Sequence, residues 1–257
     1  MFNKQLQLCY FIYLIEAAYR LSEFMKFLKS FFSLLNVLVL CVFFNYQGKT
    51  FVVSLRIAIF LHIVCLVMHS LAHEIGHFIG GIISDYKPLY LQLGLLSIVW
   101  KENKPNFIWK KTFNNQCIMI PTQTNPVRFK VYNLGGIFAN LLVAVISFAF
   151  VFLNSFWLSL FFGELVLVGL YKVLVNIIPH KTKSIPNDGY VLKILNKYDE
   201  IQRDYVMYLQ LYSNFLLKEP IDLNIFRYKR NFSRNNDELI FYEEIQNILK
   251  MIEAEHS

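Results

Sequence analysis

The sequence predicts an all-α polytopic membrane protein: about four transmembrane helices, a short β or re-entrant segment, and a small helical cytoplasmic tail. Three observations predict it. Of the 257 residues, 56% are hydrophobic and only 17% are charged, against about 25% charged in a soluble domain. The apolar residues fall into runs that approach or reach the roughly 17–25 residues needed to cross a bilayer. The Lys and Arg residues cluster between those runs rather than within them. A mean hydropathy of +0.41 excludes a disordered chain. The net charge of +7 then reads as basic loops facing an anionic leaflet, not as a nucleic-acid surface. Cys9, Cys41, Cys65 and Cys117 form no CxxC pair, so neither a disulfide framework nor a Cys-rich zinc site is expected.

The elements follow in order. Residues 1–29 mix apolar residues with Glu16, Arg20, Lys26 and Lys29, which predicts an interfacial amphipathic helix. Residues 30–46 are a first apolar span, closed by a turn at Gln47-Gly48-Lys49. Residues 51–83 are a second, interrupted by Arg56 and four histidines. Residues 84–131 carry Pro88, Pro105, Pro121 and Pro126 between β-branched and aromatic runs, which predicts short strands or a re-entrant hairpin. Residues 132–153 and 156–178 are two more spans. Beyond Pro179 the chain turns polar, with amphipathic helical spacing at 190–218 and 237–254. The domains expected are thus an interfacial segment at 1–29, a membrane core at 30–190 and a tail at 191–257.

Basic residues orient the chain. Residues 1–29, 84–131 and 179–257 hold all but three of the 25 Lys and Arg, while the loop at 47–50 holds one and 154–155 none. The positive-inside rule puts both termini and the 84–131 segment in the cytoplasm of a multi-pass protein of the cell membrane.

One motif carries chemistry: His73-Glu74-Ile75-Gly76-His77. On a helix its two imidazoles sit about 40° apart, one turn up the same face, and both reach one zinc ion. Glu74 lies beside them, placed to move protons. Ionisable residues inside a membrane helix cost ~2.5–3.5 kcal/mol each and mark functional sites by default. A catalytic zinc takes three protein ligands, and the candidates for the third are Asp85, Glu164 and Asp188. Depth favours Asp188. His73 lies about 26 Å along the span counted from Arg56, in the inner leaflet, and Asp188 follows the last span on that side. Glu164 lies about 12 Å from the outer end of its span. His62 and His69 share the face of His73. They are read as interior residues bonded to a neighbouring helix, ahead of a second metal site or a proton path.

With these residues in view, the chain resembles the site-2 protease family of intramembrane zinc metalloproteases. His73-Glu74-Ile75-Gly76-His77 matches that family's HExxH. Gly136-Ile137-Phe138-Ala139-Asn140 resembles its GPxxN motif, with Ile137 where proline is usual. Asn176-Ile177-Ile178-Pro179 followed by Asp188-Gly189 looks like its NxxPxxxxDG motif, with Pro179 and Asp188 nine apart where the pattern has five. The resemblance covers residues 65–190. It implies a zinc endopeptidase with one Zn²⁺ per chain on His73, His77 and Asp188, and Glu74 as the general base. The substrates it implies are membrane-anchored or membrane-inserted proteins or peptides, cut near the cytoplasmic leaflet. Asn140 is a candidate for bonding the substrate backbone or the developing oxyanion, or equally for a bond between helices. The second reading is a catalytically silent accessory or immunity factor of the same fold. It has no use for Glu74 as a base.

Overall fold

The computed structural model describes residues 30–48, 50–101, 104–122, 128–153, 155–181, 186–196, 199–217 and 240–255. The expected interfacial segment at 1–29 lies outside these. So do the basic residues Arg227, Lys229, Arg230 and Arg234 of the tail.

In chain order the elements are α1 (Ser30–Tyr46), α2 (Phe51–Ile83), β1 (Tyr86–Lys101), β2 (Lys104–Pro121), α3 (Phe129–Phe150), α4 (Phe156–Ile177), α5 (Asp188–Leu195), α6 (Asp199–Leu217) and α7 (Ile240–Glu255). Three of them, α2, α3 and α4, are long and apolar enough to cross a membrane. Four such spans were expected. The first, α1, is apolar but shorter over its described residues. The chain forms two compact units: residues 1–69 with 143–190, and residues 70–142 with 191–257.

In the first unit, α1 packs Leu40, Cys41 and Phe44 on Ala58 of α2, with Leu160 of α4 against them. Cys65, Leu165 and Val168 form a second cluster. Four polar side chains, Asn36, His62, His69 and Glu164, are buried within this apolar packing. Glu164 Oε1 accepts from Asn36 Nδ2 at 2.6 Å and lies 2.8 Å from His62 Nδ1. His69 Nε2 donates to Leu165 O at 2.8 Å. Both histidines therefore bond a neighbouring helix, as their face of α2 predicts.

The end of α4 is held by one side chain. Asn187 Nδ2 reaches Val175 O (2.8 Å), Asn176 O (3.1 Å) and Ile178 O (2.8 Å), carbonyls that a helix C-terminus leaves without intrahelical partners. Its Oδ1 accepts from Tyr190 N at 3.0 Å, the N3 position of α5, as an N-cap does.

In the second unit, β1 and β2 form an antiparallel hairpin. Short strands were expected, but these run 16 and 18 residues. They reach that length because the hairpin doubles back. Tyr90 Oη and Ser97 Oγ lie 3.2 Å apart, although seven residues of straight strand span about 23 Å. The bend falls at Gly94, whose φ of +67° suits glycine. There the ladder slips: Gly94 pairs Asn114, and Leu96 pairs Trp109. Asn115 pins the bend, accepting from Gly94 N (2.8 Å) and donating to Ser70 Oγ on α2 (2.9 Å). Trp100 then stacks on Phe78 of α2 at 5.6 Å. The tail helices α6 and α7 share a core of Leu211, Ile245, Ile248 and Leu249. The hydroxyl of Tyr212 on α6 accepts from Gln116 Nε2 of β2 at 3.2 Å.

Candidate metal centre

The site begins with helix α2, which is unbroken from Phe51 to Ile83. Its regular turns bring His73 and His77 onto one face, so that their Nε2 atoms lie 3.1 Å apart and their rings meet edge to face. Two nitrogens at that separation, each 2.0–2.1 Å from one ion, subtend ~98° there, about 12° from tetrahedral.

Helix α3 packs closely against this face. A Cβ on Gly76 would meet Gly135 O, and one on Gly135 would meet Gly76 O, so the two backbones touch where only glycine fits. Gly136 faces the imidazoles. A Cβ there would lie 2.5 Å from His73 Cε1 and 2.6 Å from His77 Nε2.

The outer nitrogens are held as well. His77 Nδ1 lies 2.8 Å from Tyr132 O. A carbonyl only accepts, so the proton sits on Nδ1 and neutral His77 presents a lone pair at Nε2. The Tyr132 ring packs on His77 at 5.4 Å and stacks on Tyr86 at 4.9 Å, and its hydroxyl donates to Cys117 O at 3.0 Å. Asn140 is fully buried. Its amide lies 3.3 Å from His73 Nδ1. The contacting atom is Asn140 Nδ2, and an amide nitrogen only donates, so His73 Nδ1 accepts. His77 thus meets one requirement of a metal ligand, its Nδ1–H donated outward to a carbonyl. Asn140, expected either to bond substrate or to join helices, bonds His73 from α3 to α2, the bond between helices.

Glu74 is half-buried beside the pair. Burial, and then the Glu74 carboxylate, push the Cys117 thiol up.

Asp188 opens α5 and is half-buried. Gly189 follows it because a Cβ there would meet Ile177 O. Asp85 stands at a φ of 62° just after α2 and is engaged by Arg128 at 2.9 Å, in an exposed pair. Glu164 is engaged by His62 and Asn36. Sequence reasoning missed Tyr132, which acts through its backbone carbonyl, and Asn187, whose capping role its place before Asp188 would have suggested. No family model, no curated protein and no solved structure matches the chain.

Proposed function

We propose that this chain is a membrane zinc endopeptidase of the kind its motifs resemble, hydrolysing peptide bonds of membrane-anchored or membrane-inserted substrates near the cytoplasmic leaflet. One zinc ion is bound by His73, His77 and Asp188. The observation that carries the reading is the imidazole pair on α2, with Nε2 atoms 3.1 Å apart and Nδ1 of His77 tied outward. Asp188, the third ligand that the motifs imply, supplies a carboxylate oxygen, a ligand type zinc accepts.

Zinc, when bound, supplies the Lewis acid for peptide hydrolysis. Glu74 takes the proton of the attacking water and delivers it to the leaving amine nitrogen, the general-base and general-acid roles of one carboxylate. Tyr132 O and Asn140 orient the two imidazoles. Gly136 leaves the space in front of them that a side chain would fill. Strand β2, exposed from Lys104 to Asn114, is the edge along which an extended peptide would pair. The positive-inside asymmetry supports cytoplasmic termini.

The test is metal content. The purified chain should hold about one zinc, and His73→Ala with His77→Ala should hold none. Full zinc in the double variant overturns the reading.

A further inference from the structure

Where α2 ends and α3 begins, an open cavity of about 340 Å³ is lined by Ile83, Ser84, Arg128, Phe129, Lys130 and Val131. The reaction above makes no use of it. Its lining is of two kinds. Ile83 and Val131 are large apolar side chains that stand 64% and 46% exposed. Arg128 and Lys130 are exposed cations. Gly80 puts no side chain into the groove beside Val131, because a Cβ there would meet Val131 O.

Both helices are long and apolar enough to cross a membrane. The cavity lies at their ends, the level at which a bilayer passes from acyl chains to headgroups. From it an apolar stripe runs back along each helix. Ile79 and Ile75 stand one and two turns before Ile83, Leu134 and Phe138 one and two turns after Val131, all between 41% and 65% exposed. The cations are available. Arg128 Nη1 donates to Asp85 Oδ2 at 2.9 Å, but both side chains are more than half exposed. Such a pair is weakly held, and the guanidinium keeps further N–H donors. Lys130 has no ion pair among the described residues. Residues 84–131 as a whole carry seven Lys and Arg against Asp85 and Glu102.

We propose that this cavity binds an anionic phospholipid, its headgroup phosphate on Arg128 and Lys130 and an acyl chain along the stripe that starts at Ile83 and Val131. One recess holds cations that call for an anion and apolar walls that call for hydrocarbon. A soluble anion answers only the first and an apolar segment only the second, while an anionic lipid answers both. A zwitterionic lipid brings its own cation beside the phosphate and gains less. Basic pockets between membrane helices take anionic headgroups on these grounds. The site stands apart from the peptidase reading, since none of His73, Glu74, His77 and Asp188 lines it.

The test uses the full-length chain in dodecyl maltoside micelles, titrated with dioleoyl phosphatidylglycerol or dioleoyl phosphatidylcholine. Native mass spectrometry reads the lipids bound per chain. Phosphatidylglycerol should bind about thirtyfold tighter, the attraction of two basic residues for an anionic surface. Arg128→Gln with Lys130→Gln should remove that preference and leave phosphatidylcholine binding as it was. Lys130→Gln alone should lower it about fivefold. Lys110→Gln with Lys111→Gln takes the same charge from exposed positions of β2 and should leave the preference intact. Glycerol 3-phosphate, a headgroup without chains, should not displace the lipid even in large excess. Equal binding of the two lipids overturns the proposal. So does a preference that survives loss of Arg128 and Lys130, an equal loss from the β2 variant, or displacement by glycerol 3-phosphate.

Discussion

Gly136→Ala adds one methyl group, and its consequence follows from measured distances. The new Cβ would sit 2.5 Å from His73 Cε1, 2.6 Å from His73 Nδ1 and 2.6 Å from His77 Nε2. Carbon contacts are comfortable at about 3.5–4.0 Å. The imidazoles, or the whole of α3, must therefore retreat by about 1 Å. The helices cannot supply that movement cheaply, because Gly76 and Gly135 already bring their backbones into contact one position away. Metal–ligand distances tolerate about 0.2 Å, so a 1 Å displacement of Nε2 removes that ligand from the ion. Zinc affinity should fall about 100-fold or more, the upper end for disturbing a ligand's support. Overpacking should cost about 1–3 kcal/mol of stability. The assay is competition for zinc against a chromophoric chelator, alongside thermal unfolding in detergent. Gly163→Ala is the control. It is also a helical glycine, but its Cβ meets nothing within 4 Å, so zinc affinity should hold and stability should rise by up to about 1 kcal/mol. Wild-type zinc affinity and stability in Gly136→Ala would refute the placement of α3 against the imidazole pair.

Three further outcomes are expected. Glu74→Gln keeps the shape and removes the base, so zinc should remain while turnover falls about 10²–10⁴-fold; unchanged activity favours the silent accessory reading. Asp188→Asn should weaken zinc binding severely and Glu164→Gln should leave it intact, because Glu164 is engaged by His62 and Asn36; metal analysis of both variants decides, and the reverse pattern moves the third ligand to Glu164. Cys117 should resist alkylation at pH 9, where thiols of the unfolded chain, with an ordinary value of 9.0, are half ionised; burial and Glu74 raise its pKa, so the native thiol keeps its proton and reacts only when pH rises well beyond that value. Equal alkylation rates for native and urea-unfolded chain at pH 9 count against that environment.

The parts legible in the sequence are those set by local periodicity. Apolar runs located α1 to α4 to within a few residues, since burial of every face in lipid needs no partner to specify it. The spacing of His73 and His77 put two imidazoles on one face because helix geometry alone dictates it. The β-branched and aromatic runs between prolines announced the hairpin. The tertiary structure decided what each polar group meets. Nothing local to Glu164 points to His62 and Asn36, which lie 102 and 128 residues away along the chain. Nothing local to Gly136 shows that it faces His73 and His77, or that Asn140 turns its amide to His73 Nδ1. The doubling back at Gly94 was equally hidden, because a positive φ and a side chain reaching Ser70 leave no periodic trace. The physical reason is the same in each case. Backbone hydrogen bonding and solvent preference act on neighbours in sequence, while the partner of a buried polar side chain is chosen by whichever helix or strand the packing brings within 3 Å.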